Sequence, residues 1–425
     1  MSIHSGLFSS AGFRFILSGN GAGNTHDEPR RSFFGIFSKP VEKQGGWFSR
    51  KVAGDPESSI EASPIAMTNR IHFRNPPYSE NSALALSKAP EDVNRIVHEL
   101  GFEDLWLSRR RTSLVGHQFS RIVRMLQSRF LPAGMNKGTI VFCQTMFPLS
   151  WSPAHIAFLR NARRHGASVV TLFHDIDVAR GRTRADADGL SRDSRDFLDN
   201  SDVAISHNAR MTEWLVARGV ERAKIVDLGI FDYLADGFEP AADAPFERCV
   251  TIAGNLGLHK AGYLADLGSI EDVDWRLFGP MFDPVRTKGP TLRHCGCFPP
   301  DEIPRRLTAG FGLVWDGTSV DSCAGGHGEY LRINNPHKLS LYLASGLPVI
   351  VWDESAAADF VRANDVGFAV RSLREIGARL AALSEADYSR FKRNACGVSA
   401  KLRAGHFTKA ALAKALALVD NTAQT

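Results

Sequence analysis

The sequence predicts an α/β protein made of two successive parallel-sheet halves. Three observations carry that expectation. Short apolar runs rich in Val, Ile, Leu and Phe alternate with helical stretches along most of the chain. A polar segment rich in Pro and Ala, 236–247, interrupts the alternation once. Glycine or His/Asp/Asn pairs stand directly after the apolar runs in both halves.

The first 66 residues are rich in Ser, Gly, Pro and charge, without sustained periodicity, and read as a disordered tail. Gly19-Asn20-Gly21-Ala22-Gly23 lies within it. Having neither a strand before it nor a helix after it, this run reads as linker rather than a nucleotide loop. From 67 to 237 the expected strands are 70–73, 139–143, 168–174, 202–206 and 224–228. The intervening helices fall near 91–100, 153–165 and 209–218. A second half follows over 246–403, with strands at 249–253, 275–278, 311–315, 349–352 and 368–370. The last 404–425 form a closing helix, expected to cross back to the first half. Right-handed crossovers make both halves Rossmann-like, facing each other across a cleft. Ligands of such sheets gather at the C-terminal ends of the strands. Those ends carry His174-Asp175-Ile176-Asp177 and His207-Asn208 in one half, and Gly254-Asn255, Gly279-Pro280 and Asp316-Gly317 in the other.

The segment 334–352 is the most informative. Asn335 reads as an N-cap and Pro336 as the first helical residue. Lys338 then sits in the first turn, where a cation opposes the helix dipole. That placement makes sense when an anion docks on the free N–H groups and the lysine neutralises it. Gly346 stops the helix, Pro348 prevents its return, and a buried strand follows.

Hydrophobic residues make up 44% of the 425 and charged residues 23%, an ordinary water-soluble composition. No apolar run approaches the ~20 residues that span a bilayer. The run Phe13-Arg14-Phe15-Ile16-Leu17 is too short for a signal-peptide core. Six scattered cysteines suggest no disulfide framework and hence a cytoplasmic protein. Cys295-Gly296-Cys297 beside His294 lacks a second ligand pair at zinc spacing, so no metal is expected there.

The formal net charge of +5 is unevenly spread. Between 105 and 174 there is no Asp or Glu. The same stretch holds Arg109, Arg110, Arg111, Arg121, Arg124, Arg129, Lys137, Arg160, Arg163 and Arg164. Phe119, Ile122, Val123, Leu126 and Phe130 recur in it at helical spacing, with Arg121, Arg124 and Arg129 off that stripe. Two readings stand: a helix facing the core with a solvated basic side, or a peripheral surface for anionic membrane or a phosphorylated acceptor. Nucleic acid is not expected, since no binding motif accompanies the charge.

The stretch 312–351, with Gly-Leu-Val-Trp-Asp-Gly, then Gly-Glu-Tyr-Leu, then Asn-Asn-Pro-His-Lys-Leu-Ser-Leu-Tyr-Leu-Ala-Ser-Gly-Leu-Pro-Val-Ile, resembles bacterial β-1,6-galactofuranosyltransferases. It is also similar to the related glucosyltransferases that extend glycans on adhesins. Asn81-Ser82, the run 88–93, His174-Asp175-Ile176, the run 228–233 and Gly254-Asn255-Leu256 share that look. The resemblance runs from about Ala83 onward and leaves the tail outside. It implies a GT-B fold, a UDP-sugar donor on the C-terminal domain, an acceptor on the N-terminal one and no obligatory metal or cofactor. The acceptor would be a glycan or a lipid-linked saccharide of the cell surface, reached from the cytoplasmic face of the membrane.

Under that resemblance the residues take roles. Lys338 and the amides around Asn335, His337 and Leu339 would meet the donor diphosphate, with Ser340 adding a hydroxyl. Gly254 and Asn255 would bring backbone near a phosphate, with Lys260 as a second cation. Glu329 and Tyr330 are candidates for sugar or ribose contacts, Asp316 for a donor-sugar hydroxyl, and Ser87 and Lys88 for a loop reaching the phosphates. The glutamate pair common beside this helix in retaining enzymes is missing, which fits inversion. Inversion needs one general base. Asp175 is the first choice, with Asp177 and His174 beside it. A catalytically silent sugar-binding or scaffold subunit and a UDP-sugar epimerase are the alternatives.

Overall fold

The computed structural model describes residues 69–74, 88–108, 114–145, 153–181 and 184–422. The expected tail, its Gly19–Gly23 run, Ser87 and Arg109 to Arg111 lie outside the described residues. In the first half six parallel strands form one sheet: β1 (Arg70–Phe73), β2 (Glu103–Leu105), β3 (Ile140–Thr145), β4 (Ser168–Phe173), β5 (Val203–Ser206) and β6 (Ile225–Asp227). Their order is β2-β1-β3-β4-β5-β6. Helices α1 (Lys88–Glu99), α2 (Leu114–Phe130), α3 (Pro153–Arg164), α4 (Arg192–Asp199) and α5 (Ala209–Val216) connect them. β3 and β4 are buried along nearly their whole length, as an apolar run covered on both faces must be.

The second sheet holds β7 (Cys249–Ala253), β8 (Asp274–Phe278), β9 (Leu292–His294), β10 (Phe311–Val314), β11 (Val349–Trp352) and β12 (Gly367–Val370). The order β12-β11-β10-β7-β8-β9 is again all parallel and reverses between β7 and β10. That reversal opens a crevice at the C-terminal ends of the strands. Gly279 marks how tightly it is built: its φ is +139°, and a Cβ there would run into the Gly254 carbonyl. Helices α6 (Gly326–Glu329), α7 (His337–Ala344), α8 (Ala356–Asn364), α9 (Ile376–Ala382), α10 (Glu385–Arg403) and α11 (His406–Thr422) complete the fold.

The last helix packs on the first sheet. Gly405, at φ +68°, turns α10 into α11. The Asp232 carboxylate accepts the amides of Phe407 and Thr408 at 3.2 and 2.7 Å, an anion at a helix N-terminus. Ala411, Leu412, Ala415 and Val419 then share one core with Val93, Phe142, Leu172 and Ile205 of the first half. The last helix therefore does cross back to the first sheet.

The α2 stripe departs from the core-facing reading. Phe119, Ile122, Leu126 and Phe130 face solvent, while Arg124 is buried beside His155 at 3.3 Å. The periodicity was real, but the helix packs by its opposite side.

Leu412 is fully buried although it belongs to the final helix. Leu412→Ala should lower stability by about 2–5 kcal/mol in urea unfolding, the usual cost of a core cavity. A loss under about 1 kcal/mol would mean that α11 is not part of the first core.

Candidate active site

The site grows from the crevice between β7 and β10. After β10 the chain delivers Trp315 and Asp316, both buried. Lys338, in the first turn of α7, donates to the Trp315 carbonyl and to Asp316 Oδ1, each at 2.9 Å. Burial raises the cost of charge on Asp316, yet Lys338 and Lys260 outweigh it and hold the carboxyl below its ordinary range. Asp316 likewise favours the Lys260 ammonium, but burial and the nearby Lys338 and Arg180 bring that lysine's pKa below its ordinary value. One carboxylate thus faces two lysines, an arrangement with an excess of positive charge.

The start of α7 differs from expectation. The helix begins at His337, and Pro336 occupies the capping position with extended backbone. Asn335 is engaged elsewhere: its amide donates to the His207 carbonyl at 3.2 Å and to the Gly229 carbonyl, and its oxygen accepts from Asn208 at 3.0 Å. Its work is to join α7 to the first half. Leu339 is buried in the core, and its N–H is taken by the Pro336 carbonyl. Ser340 also turns away, donating its hydroxyl to the Phe231 carbonyl at 2.6 Å. The open amides of the helix start are thereby narrowed to His337 and Lys338. Gly346, at φ +69°, ends the helix as the sequence indicates.

Two adjoining cavities meet here. The larger, about 460 Å³, is lined by Gly254, Asn255, Lys260, His337 and Lys338 from one half and by Lys88, Asp175, Arg180 and Tyr233 from the other. Asn255 Oδ1 accepts the Gly257 amide at 2.8 Å, folding the Gly254–Lys260 loop against the cavity. The smaller, about 170 Å³, is lined by His174, Asp175, His207, Asp316, Tyr330 and His337 among others. Asp175 is on both walls, and its Oδ2 accepts from Arg180 at 2.6 Å. Asp177 is buried and off both walls. Tyr330 accepts the Ile176 amide at 2.9 Å, latching the second half to the turn that carries Asp175. Glu329 pairs with Arg332 at 2.6 Å and lines neither cavity. Lys88 anchors the opposite rim, bonding Asp92, Asp301 and the Leu234 carbonyl at 2.8 Å each.

Arg180 and Tyr233 were not among the residues assigned to the site; Lys88, expected in a loop, instead opens α1 and still lines the larger cavity. Arg180 had a readable signal, the first cation after Asp175, five residues on. Tyr233 closes the run 228–233 singled out by the resemblance, but only folding brings it beneath Lys88, 5.0 Å from the ring centre. For a metal, the trio His72, His98 and Asp104 on β1, α1 and β2 is the set of described side chains close enough to share an ion. Its carboxylate already contacts both imidazoles, at 2.9 and 2.7 Å, and accepts from Arg74 at 3.1 Å. The six cysteines are free, and His294 stacks on Phe282.

Three histidines surround Phe231: His174 stacked at 5.0 Å, His207 edge-on at 4.8 Å and His337 at 6.4 Å. Their edges touch the cavity, but the protein packed around them makes charging costly. Burial lowers His174 to about 3, and His207 and His337 each to about 4. All three are neutral at pH 7. The unfolded chain takes up protons near 6.5 that these rings refuse, so their contribution is present above that pH and is lost as pH falls toward 4. Burial raises Asp92 and Asp232 to about 6, which acts in the opposite sense but through fewer groups. The urea midpoint should therefore fall between pH 7 and 5; a midpoint that rises would contradict the neutral-histidine cluster.

Comparison with known proteins agrees with this architecture. Residues 73–230 match the Glucosyltransferase 3-like N-terminal domain, and 250–415 match the corresponding C-terminal domain. The β-1,6-galactofuranosyltransferase WbbI of Escherichia coli (strain K12) is 34% identical over 299 residues, covering 69% of this chain and 84% of the relative. Glucosyltransferase 3 of Streptococcus gordonii is 25% identical over 342 residues, covering 77% and 93%. A sucrose-phosphate synthase from Thermosynechococcus elongatus shares the fold, with a TM-score of 0.54, 12% identity and coverage of 84% and 100%. So does a UDP-forming α,α-trehalose-phosphate synthase from Burkholderia vietnamiensis, at 0.51, 10% and the same coverage. Two Rossmann-like sheets, a lysine-bearing helix at their crevice and these matches place the chain in the Glucosyltransferase 3-like family of GT-B glycosyltransferases.

Proposed function

We propose that the enzyme moves a galactofuranosyl or glucosyl unit from a UDP-sugar to a glycan or lipid-linked acceptor, with inversion, in surface polysaccharide or glycoconjugate synthesis on the cytoplasmic side. The named activities of the two relatives suggest the sugars. The observation that carries the reading is Lys338, bonded to the buried Asp316 at 2.9 Å at the crevice, with Lys260 on the wall of the same cavity. As the bond from the sugar's anomeric carbon to the diphosphate breaks, its electron pair stays on UDP. Lys338, Lys260 and the amides of His337 and Lys338 supply positive charge where that charge develops. Side-chain cations, rather than a metal, serve as countercharge in this reading. The acceptor hydroxyl attacks from the opposite face, and its proton passes to Asp175, which Arg180 holds at the wall of both cavities.

Asp316 does more here than meet a sugar hydroxyl. It orients Lys338 before any donor arrives, so the ammonium need not be ordered during binding. The incoming phosphate shares Lys338 with it or takes over that bond.

Incubation with UDP-glucose, UDP-galactose and UDP-galactofuranose should release UDP with one of them, and EDTA should leave the rate intact. No turnover and no UDP binding with the whole panel would refute the reading. Lys338→Ala should weaken UDP binding by about 1.5–3 kcal/mol in calorimetry, the loss of a charge-assisted contact. Unchanged affinity would remove the lysine from the diphosphate. Asp175→Asn should lower kcat by roughly 10²–10⁴ with little change in UDP affinity; an unaffected kcat would place the base elsewhere.

A further inference from the structure

Helix α2 is assembled inside out. Ser120, Arg124 and Ser128 recur every fourth residue and are buried, and the Ser128 carbonyl accepts from Asn161 of α3 at 2.9 Å. The outward face carries Phe119 (58% exposed), Ile122 (61%), Met125, Leu126 and Phe130 (65%). Isolated exposed apolar residues are ordinary, but a continuous helical stripe of large ones is not. Trp106, also exposed, sits in a loop tied to α2 by the bond from the Ser108 amide to Gln127.

The surroundings of the stripe are cationic. Arg121 and Arg129 are exposed on α2. Beyond Phe130 a short 3₁₀ turn, Leu131–Gly134, leads to an open hollow of about 620 Å³ containing Lys137, Arg160, Arg163 and Arg164. Arg163 is paired with Asp202 at 2.7 Å, and Asp420 is also on the rim. Lys137, Arg160 and Arg164 pair with no carboxylate among the described residues. The segment 105–174 contributes no acidic residue of its own.

We infer that α2 and the adjoining basic hollow dock the enzyme on an anionic phospholipid bilayer. The aromatic and aliphatic side chains enter the headgroup boundary, and the arginines meet lipid phosphates. Charge complementarity favours this occupant over a second copy of the chain. Self-association through the stripe would bring Arg121 and Arg129 against their own duplicates with no acidic residue of that segment between them. Docking is independent of the donor chemistry proposed above, since vesicle binding needs no UDP-sugar.

Co-sedimentation of the full chain with phosphatidylcholine vesicles, and with vesicles also containing phosphatidylglycerol, tests the inference. Binding should require phosphatidylglycerol and weaken in high salt. The pairs Ile122→Asp with Phe130→Asp, and Arg121→Glu with Arg129→Glu, should each reduce binding roughly tenfold or more while leaving the thermal unfolding and UDP-release rate unchanged. For the wild-type chain, brominated phosphatidylglycerol should quench tryptophan fluorescence, and Trp106→Phe should remove part of that quenching. Absence of binding to anionic vesicles, or binding indifferent to both pairs of substitutions, would overturn the inference. So would a dimer that the Ile122/Phe130 pair dissociates in a chain that ignores vesicles, which would make the stripe a self-interface.

Discussion

A buried carboxylate facing two lysines is the constraint around which the cleft is arranged. Asp316 is almost completely removed from water, and such a charge is costly unless it is paired. Lys338 meets it at 2.9 Å and Lys260 adds a second field. The pairing fixes the first turn of α7 against the end of β10, at the point where the strand order of the second sheet reverses. It also leaves the trio with a net positive charge in a crevice shielded from water, where electrostatic interactions are strong. A diphosphate is the kind of group that such a place attracts.

The same short helix joins the two halves. Asn335, just before α7, is bonded to His207, Gly229 and Asn208 of the first half, and Ser340 within it to Phe231. Tyr330 reaches Ile176, beside Asp175, and α11 seals the first sheet from the far end of the chain. Lys338 and Asp175 are thus set by contacts that cross between halves. A shift of one half against the other must disturb both together.

Much of this was legible in the chain, for physical reasons that also mark where legibility stopped. Strands buried on both faces write themselves as apolar runs, so β3, β4, β7, β10 and β11 were plain. The edge strands β2 and β9 are three residues long and carry Glu103, Asp104, Arg293 and His294, so no periodicity betrays them. Lys338 stood out because a first-turn lysine conflicts with the helix dipole. Asn335 misled because capping is a local rule, while its actual partners lie more than a hundred residues away. Ser340 is likewise satisfied by a distant backbone group, the Phe231 carbonyl, whereas Tyr330 lines the smaller cavity while its hydroxyl accepts the Ile176 amide. The α2 stripe was visible as a stripe, but spacing alone does not say which side of a helix faces water.

A crystal structure of the enzyme with UDP shows directly where the nucleotide's phosphates settle. The diphosphate should lie over the start of α7, within hydrogen-bonding distance of Lys338 Nζ and the His337 and Lys338 amides, with Lys260 alongside. Phosphates bound away from Lys338, with the Lys338–Asp316 contact untouched and the crevice empty, would contradict this placement.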